Sequence, residues 1–189
     1  MGVIEAPLLV LAAMELAGQT GFTSSCQPEQ GRLLHTLAGG ASAAIGETGT
    51  GCGVGLAWLI SGRRPGVRVV SLERNPERAD EARRLFADEP DVEIYTGDWT
   101  EITRHGPFDL LFLDGGGHGK HGVPIDPTQA LNPGGTLVID DLTPMTSWPP
   151  HHDGSIDQAR LHWLNHPALL TTELRLAPNQ ATLVGTRKP

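Results

Sequence analysis

Apolar residues along the chain fall into short runs punctuated by glycine and proline, and the period of the runs changes repeatedly. Residues 3–18 are apolar and Ala-rich and end at Gly18, which predicts a helix. A polar loop follows over 19–27. Pro28-Glu29-Gln30-Gly31 then opens a second helix, with Leu33, Leu34 and Leu37 on one face and a stop at Gly39-Gly40. Beyond this point the pattern alternates. Runs at Ala41–Ile45, Val67–Leu72, Val92–Tyr95, Phe108–Leu113 and Thr136–Ile139 read as strands. Helical stretches stand at Val54–Ser61, Pro76–Ala87, Ile156–Asn165 and ahead of Asn132-Pro133, where Pro127–Leu131 ends a helix. Leu169–Leu176 and Ala181–Thr186, joined by Pro178-Asn179-Gln180, read as two closing strands.

Short strands alternating with helices predict an α/β domain with a mainly parallel sheet. Phe108–Leu113 is apolar on both faces, as a strand covered on both sides must be. The two closing strands are near enough in sequence to form an antiparallel edge. The 189 residues are expected to make one domain, with 1–40 as an N-terminal helical cap and 41–189 as the α/β core.

Composition narrows the function classes. Hydrophobic residues make up 39% and charged residues 19%, which is ordinary for a globular chain, and the 24 glycines and 15 prolines sit at turns. The net charge of −8, with no basic stripe, argues against a nucleic-acid partner. Cys26 and Cys52 make neither a disulfide framework nor a metal cluster, and a cytoplasmic protein is expected. The run Leu8–Met14 lacks a basic flank and lies between Glu5 and Glu15, so it reads as a helix rather than a signal segment. No stretch approaches the length of a membrane span, and Ala6 stands where a myristoylation signal needs Ser or Thr.

The chemistry-bearing residues gather at the carboxyl ends of the strands, where open α/β sheets bind ligands. The first strand runs into Gly49, Gly51, Gly53 and Gly55, alternating rather than spaced as in the dinucleotide fingerprint, so a nicotinamide cofactor is not expected. Glu73 ends the second strand, where a carboxylate can accept both hydroxyls of a ribose. Asp98 follows the third, placed to accept from an adenine amino group, with Trp99 beside it to stack or close the pocket. Asp114 ends the fourth.

These pieces together resemble the class I S-adenosylmethionine-dependent methyltransferases. The matching segments are Glu47-Thr-Gly-Thr-Gly-Cys-Gly, Leu72-Glu-Arg-Asn-Pro, Gly97-Asp98, Phe108–Asp114 and Leu131-Asn-Pro-Gly-Gly-Thr-Leu-Val-Ile-Asp140. With Pro28-Glu-Gln-Gly-Arg-Leu-Leu and Asp140-Asp141, the chain is most similar to the group of small catechol and caffeoyl-coenzyme A O-methyltransferases. The resemblance implies a Rossmann-like seven-stranded sheet, order 3-2-1-4-5-7-6, mostly parallel with an antiparallel last strand. It implies cofactor contacts at Glu47, Thr48, Gly49, Thr50, Gly51 and Gly53, then at Glu73, Arg74, Gly97, Asp98, Trp99 and Asp114. It further implies a divalent cation, usually Mg²⁺, on Asp114, Asp140 and Asp141, a set of hard oxygens suited to it.

Two departures from the group stand out. Asp141 replaces the usual Asn, and the group's lysine three residues after Asp114 is here Gly117. Asp114, Lys120 and His118 are the candidate catalytic residues, with His121 a further source of a base from the glycine-rich loop. In the Pro-rich loop after the fifth strand, His151 or His152 would offer a base near neutral pH, against the alternative of an exposed loop. Trp148 is a candidate wall for an aromatic substrate, whereas Trp58 and Trp163 read as packing residues. The function these features predict is methylation of a small-molecule hydroxyl. A nitrogen, carbon, protein or RNA acceptor, or a non-catalytic adenosylmethionine-binding role, is the alternative. The expected partners are a small-molecule acceptor and a second copy of the chain, with no nucleic acid and no membrane.

Overall fold

In the computed structural model, residues 6–120 and 122–189 are described; residues 3–5 of the first expected helix, with its flanking Glu5, and the candidate base His121 lie outside them. Two helices come first, α1 (Leu8–Thr20) and α2 (Pro28–Ala38). The core then runs β1 (Ala44–Thr48), α3 (Val54–Gly62), β2 (Arg68–Glu73), α4 (Pro76–Leu85), β3 (Val92–Thr96), a 3₁₀ turn at Trp99–Arg104 and β4 (Phe108–Leu113). It continues with α5 (Pro127–Ala130), β5 (Leu131–Leu142), a small hairpin of β6 (His151–His152) and β7 (Ser155–Ile156), α6 (Gln158–Leu164), β8 (Leu169–Ala177) and β9 (Gln180–Arg187).

Seven strands form one sheet in the order β3-β2-β1-β4-β5-β9-β8. With the hairpin left out of the count, this is the expected 3-2-1-4-5-7-6. β1 to β5 pair in parallel, and β9 is antiparallel to both β5 and β8. The pleat sends alternate residues to opposite faces. Leu110 and Phe112 of β4 therefore join the core under α1–α3, and Leu111 and Leu113 the core that contains Ile102 and Trp163. Trp58 and Trp163 are both buried, as packing residues should be.

Local chemistry fixes the helix starts. α4 opens with Pro76 at its first turn, and the Asn75 side chain accepts from the Arg78 N–H at 3.0 Å. Asp157 caps α6 in the same way through the Arg160 N–H. Three expectations needed correction. β1 starts later than residue 41, because Ser42 and Ala43 turn their N–H groups to the Asp109 side chain. β5 reaches from Leu131 to Leu142, since the 132–135 turn is absorbed into a strand irregular between Phe108 and Leu110 of its partner. The last helix, α6, begins at Gln158 and not at Ile156, because Ile156 pairs with His151 in a hairpin formed within the segment read as a Pro-rich loop.

Candidate active site

Strand ends and the turns after them build a cavity of about 500 Å³ above the carboxyl edge of the sheet. Its floor is the glycine-rich loop. Gly49 and Thr50 donate their N–H groups to the Leu72 carbonyl at 2.8 and 3.3 Å, which folds the loop back over β2. Gly49 has φ +89°, and a Cβ there would lie 2.4 Å from the Gly115 backbone, so the β1 and β4 turns meet only because both residues lack side chains.

Glu73 is the hub of one wall. It is buried; its Oε2 accepts from the Gly51 N–H at 2.9 Å, and its Oε1 accepts from the Asn75 N–H at 2.8 Å and from Arg78 Nη2 at 3.0 Å. The carboxylate therefore ties the glycine loop to α4 and keeps lone-pair capacity on Oε2 for a further donor. Arg78 lies over the Phe22 ring, 5.5 Å from its centroid, and the same ring sits above Gly51. Arg74, Gly97, Asp98 and Trp99 line the wall beyond. Asp98 caps its own turn, accepting from Thr100 N–H and Oγ1 at 3.0 and 2.8 Å, and those two bonds hold its carboxyl below the usual range.

Three of the expected cofactor residues stand behind this wall and not on it. Glu47 is buried, and its Oε2 accepts from Ser71 Oγ at 2.5 Å. Burial pushes its carboxyl up to about 8, against the Ser71 hydrogen bond, so it is protonated at neutral pH. Ser71 Oγ is in turn 2.5 Å from Thr50 Oγ1, so Glu47 acts on the cavity through the Thr50 side chain. Thr48 is buried, donating to the Gly116 carbonyl at 2.9 Å. Gly53 begins α3, with the Phe86 ring where its Cβ would stand.

Asp114, Asp140 and Asp141 come together as expected: each offers a carboxylate oxygen within 4.8 Å of the others. Burial first, then the charges of Asp140 and Asp141, push the Asp114 carboxyl well above the carboxylate range. Asp140 is buried, and its carboxyl is pushed up to about 6, burial and the Asp141 charge outweighing the hydrogen bonds from the Asp141 N–H and Gln180. Among the described residues, Asp140 Oδ1 has no hydrogen-bond partner. A buried acceptor left without a donor, facing two more hard oxygens, fits a divalent cation.

A second cavity, of about 790 Å³, adjoins the first; Gln27, Asp140, Asp141 and Gln180 line both. Lys120 lines this second cavity. Its Nζ donates to the Asp140 and Asp141 carbonyls at 2.8 and 2.7 Å, which brings the one lysine of the 115–122 loop to the acidic trio. Burial lowers its pKa, against the pull of Asp141, Asp140 and Asp114. His118 lines neither cavity: its Nδ1 accepts from the Lys120 N–H at 3.2 Å and its carbonyl from Trp163 Nε1 at 2.8 Å. His152 lines the second cavity, His151 does not, and Trp148 is 66% exposed, away from both.

Sequence reasoning passed over Gln180, Phe22 and Arg78. Gln180 arrives from the start of β9, forty residues beyond the carboxylate it bonds, and no local pattern announces that meeting. Phe22 lies in the loop read as merely polar. Arg78 was legible only as one more charge on a surface helix.

Relatives bear on what such a site does. No family model matches the chain. It is 33% identical over 141 residues to the catechol O-methyltransferase of Mycobacterium tuberculosis, covering 70% of this chain and 62% of that protein. It is 31% identical over 139 residues to a protein of Mycobacterium sp. (strain JLS) that bears an O-methyltransferase name, covering 69% of this chain and 63% of that one. The chain thus spans under two thirds of these relatives' lengths. In structure it is similar to an O-methyltransferase of Bacillus cereus solved with S-adenosylhomocysteine (TM-score 0.78, 23% identity, 98% of this chain and 93% of that one). It is also similar to the O-methyltransferase TomG of Streptomyces achromogenes solved with S-adenosylmethionine (TM-score 0.77, 21% identity, 99% and 92%). The sheet order, the cavity at its carboxyl edge and these similarities agree: the chain has the fold of the O-methyltransferases solved with S-adenosylmethionine or S-adenosylhomocysteine, and in sequence it is similar to proteins named O-methyltransferases, a catechol O-methyltransferase among them.

Proposed function

We propose that the protein transfers the methyl group of S-adenosylmethionine to a hydroxyl of a small molecule, with Mg²⁺ or a similar divalent cation at Asp114, Asp140 and Asp141. The observation that carries this reading is the position of Asp140 and Asp141, which line both cavities at once. One cavity has the carboxylates that suit a nucleoside, and the other is left for the acceptor. The similarity to proteins named O-methyltransferases supports oxygen over nitrogen as the acceptor atom.

Each group then has a task. Glu73 accepts from ribose hydroxyls, and Asp98 with Trp99 bounds the adenine end. Asp114, Asp140 and Asp141 hold the cation, which when bound lowers the pKa of a coordinated hydroxyl and fixes its place. Lys120 is the base. Its Nζ donates to the Asp140 and Asp141 carbonyls beside the acidic trio, and burial lowers its pKa, which favours the unprotonated form that a base needs. Much of the acceleration comes from holding the two reactants in line, worth several kcal/mol, about 7–11 in well-oriented cases. A cytoplasmic location agrees with the two free cysteines and with the lack, among the described residues, of a helix long and apolar enough to cross a membrane.

The test is turnover: release of S-adenosylhomocysteine from S-adenosylmethionine with an acceptor panel, with Mg²⁺ and with chelator. Methylated oxygen product lost on chelation is expected. Activity that survives chelation would remove the cation from the reading, and cofactor binding without turnover of any acceptor would favour a binding protein.

A further inference from the structure

On the methyltransferase reading just given, we propose that Arg78 and Phe22 are positioning residues of the cofactor site. Together they latch the loop between α1 and α2 over the glycine-rich loop, and they hold the Glu73 carboxylate with one oxygen left for the ribose. The loop has little else to keep it in place. Phe22 to Gln27 all line the cofactor cavity. Yet among the described residues no backbone group of Thr23 to Cys26 is hydrogen-bonded outside the loop. The Phe22 N–H donates to the Ala17 carbonyl at 2.9 Å, which closes the end of α1 and fastens nothing beyond it. Thr20 Oγ1 lies 3.4 Å from Cys52 Sγ, a weak contact because a thiol is a poor partner. A backbone so sparsely tied stays over a cavity only where a side chain fastens it.

Phe22 is that side chain. Two of its ring carbons stand 3.0 Å from the point where a Gly51 Cβ would be, so the ring lies directly on the glycine-rich loop. The Arg78 guanidinium carbon is 5.5 Å from the centroid of the same ring, within reach of a cation–π contact. Arg78 Nε and Nη2 donate to Glu73 Oε1 at 3.3 and 3.0 Å. Glu73 Oε2 in turn accepts from the Gly51 N–H at 2.9 Å. Gly51, Glu73, Arg78 and Phe22 thus form a closed circuit of four contacts, and the circuit includes the carboxylate that the ribose needs.

The circuit makes that carboxylate asymmetric. With the Asn75 N–H at 2.8 Å, three donors meet Oε1 and one meets Oε2. Oε1 is filled by the protein, and Oε2 keeps capacity for a ribose hydroxyl. Without Arg78, the carboxylate turns about a soft, roughly two-fold torsion, and its buried charge loses its counter-ion. Without Phe22, the half-buried Arg78 loses the surface that orders its plane, and the loop loses its seat on Gly51. Phe22 therefore acts on the cofactor through Arg78, and Arg78 through Glu73.

The experiment measures S-adenosylhomocysteine on the full chain, with affinity from calorimetry and the dissociation rate from a chase of labelled ligand by unlabelled excess. The proteins are the parent, Arg78→Met, Phe22→Leu, Phe22→Tyr and the double variant of Arg78→Met with Phe22→Leu. Arg78→Met is expected to bind about tenfold more weakly, as for a lost hydrogen bond to a charged group. Phe22→Leu keeps the apolar volume but not the π face and is expected to bind about threefold more weakly, with the loss in the dissociation rate. Phe22→Tyr keeps the ring and is expected to match the parent. The double variant is expected to bind within about twofold of Arg78→Met alone, because the two residues act in series. Parent-like binding by Arg78→Met or by Phe22→Leu overturns the latch. So does Phe22→Tyr as weak as Phe22→Leu, or a double variant whose two losses multiply. A folded parent that binds no S-adenosylhomocysteine overturns the methyltransferase reading beneath it.

Discussion

Two aspartates at the two ends of β4 show how one residue type serves opposite ends. Asp109, at the start, is surrounded by donors: Ser42 N–H and Oγ at 2.8 and 3.0 Å, Ala43 N–H at 2.7 Å and Asn132 Nδ2 at 2.8 Å. Partial burial pushes its carboxyl up, but the Asn132, Ser42 and Ala43 bonds win and hold it at about 2. Asp114, just past the end, faces Asp140 and Asp141 and is pushed the other way by burial and by their charge. The satisfied aspartate pins the amino-terminal edge of the sheet. The crowded one sits at the carboxyl-terminal edge, beside Asp140, whose Oδ1 has no hydrogen-bond partner among the described residues. A fold that repels charge at one place and gathers donors at another marks the first as the site.

Breaking the satisfied end should cost the most stability. Asp109→Ala leaves the Ser42 and Ala43 N–H groups without their acceptor and is expected to destabilise by about 1–3 kcal/mol, read by denaturant unfolding, with S-adenosylhomocysteine affinity unchanged. Its pH dependence has a fixed sign. A carboxyl lowered to about 2 contributes stability that is present above 3.8 and is lost as pH falls through about 2. An acid limb that is the same in Asp109→Asn as in the parent would refute that assignment.

The unsatisfied end should respond in reverse. Asp140→Asn removes one of three crowded carboxylates and is expected to leave stability unchanged or raise it by about 1 kcal/mol. Mg²⁺ affinity, read by calorimetry, should fall by about tenfold or more, because a ligand is lost. A variant that is less stable yet binds Mg²⁺ as before would mean that the trio is structural.

Much of this comparison was open to sequence reasoning. Phe108–Leu113 announces a two-faced buried strand, and an acidic residue directly after such a strand is a site candidate on topology alone. Glu73, Asp98 and the glycine loop were legible on the same ground. What escaped has a shared cause. Two donors to Asp109, Ser42 and Ala43, come from a segment read as strand and a third, Asn132, from a turn, and Gln180 reaches Asp140 from the distant β9, so all are contacts between parts of the chain with no sequence period to link them. Glu47 shows the limit differently: its position beside the glycines is as expected, yet its side chain turns into the core toward Ser71.

Glu47 offers a finer probe. Its carboxyl, pushed up to about 8 by burial, is protonated in the fold at neutral pH and ionised in the unfolded chain above 4.5. Its contribution is therefore whole below 4.5 and is lost as pH rises through about 8. Glu47→Gln should remove that loss, giving a flatter stability profile between about pH 4.5 and pH 8; an unchanged slope would show that Glu47 is already ionised in the fold. The smallest effect belongs to Trp148→Ala, expected to shift stability by less than about 0.5 kcal/mol and to leave the acceptor KM unchanged. A marked rise in KM would bring an aromatic wall back into the acceptor cavity.

The central claim is that the cavity at the carboxyl ends of β1 to β4 holds the adenosyl cofactor through Glu73. Titration calorimetry with S-adenosylhomocysteine on the parent and on Glu73→Gln tests it most directly, with NAD as control. The account predicts micromolar binding to the parent, at least tenfold weaker binding to the variant, on the order expected for a charged hydrogen bond, and no heat from NAD. Equal affinity in parent and variant, or no binding of S-adenosylhomocysteine to a folded parent, would contradict it.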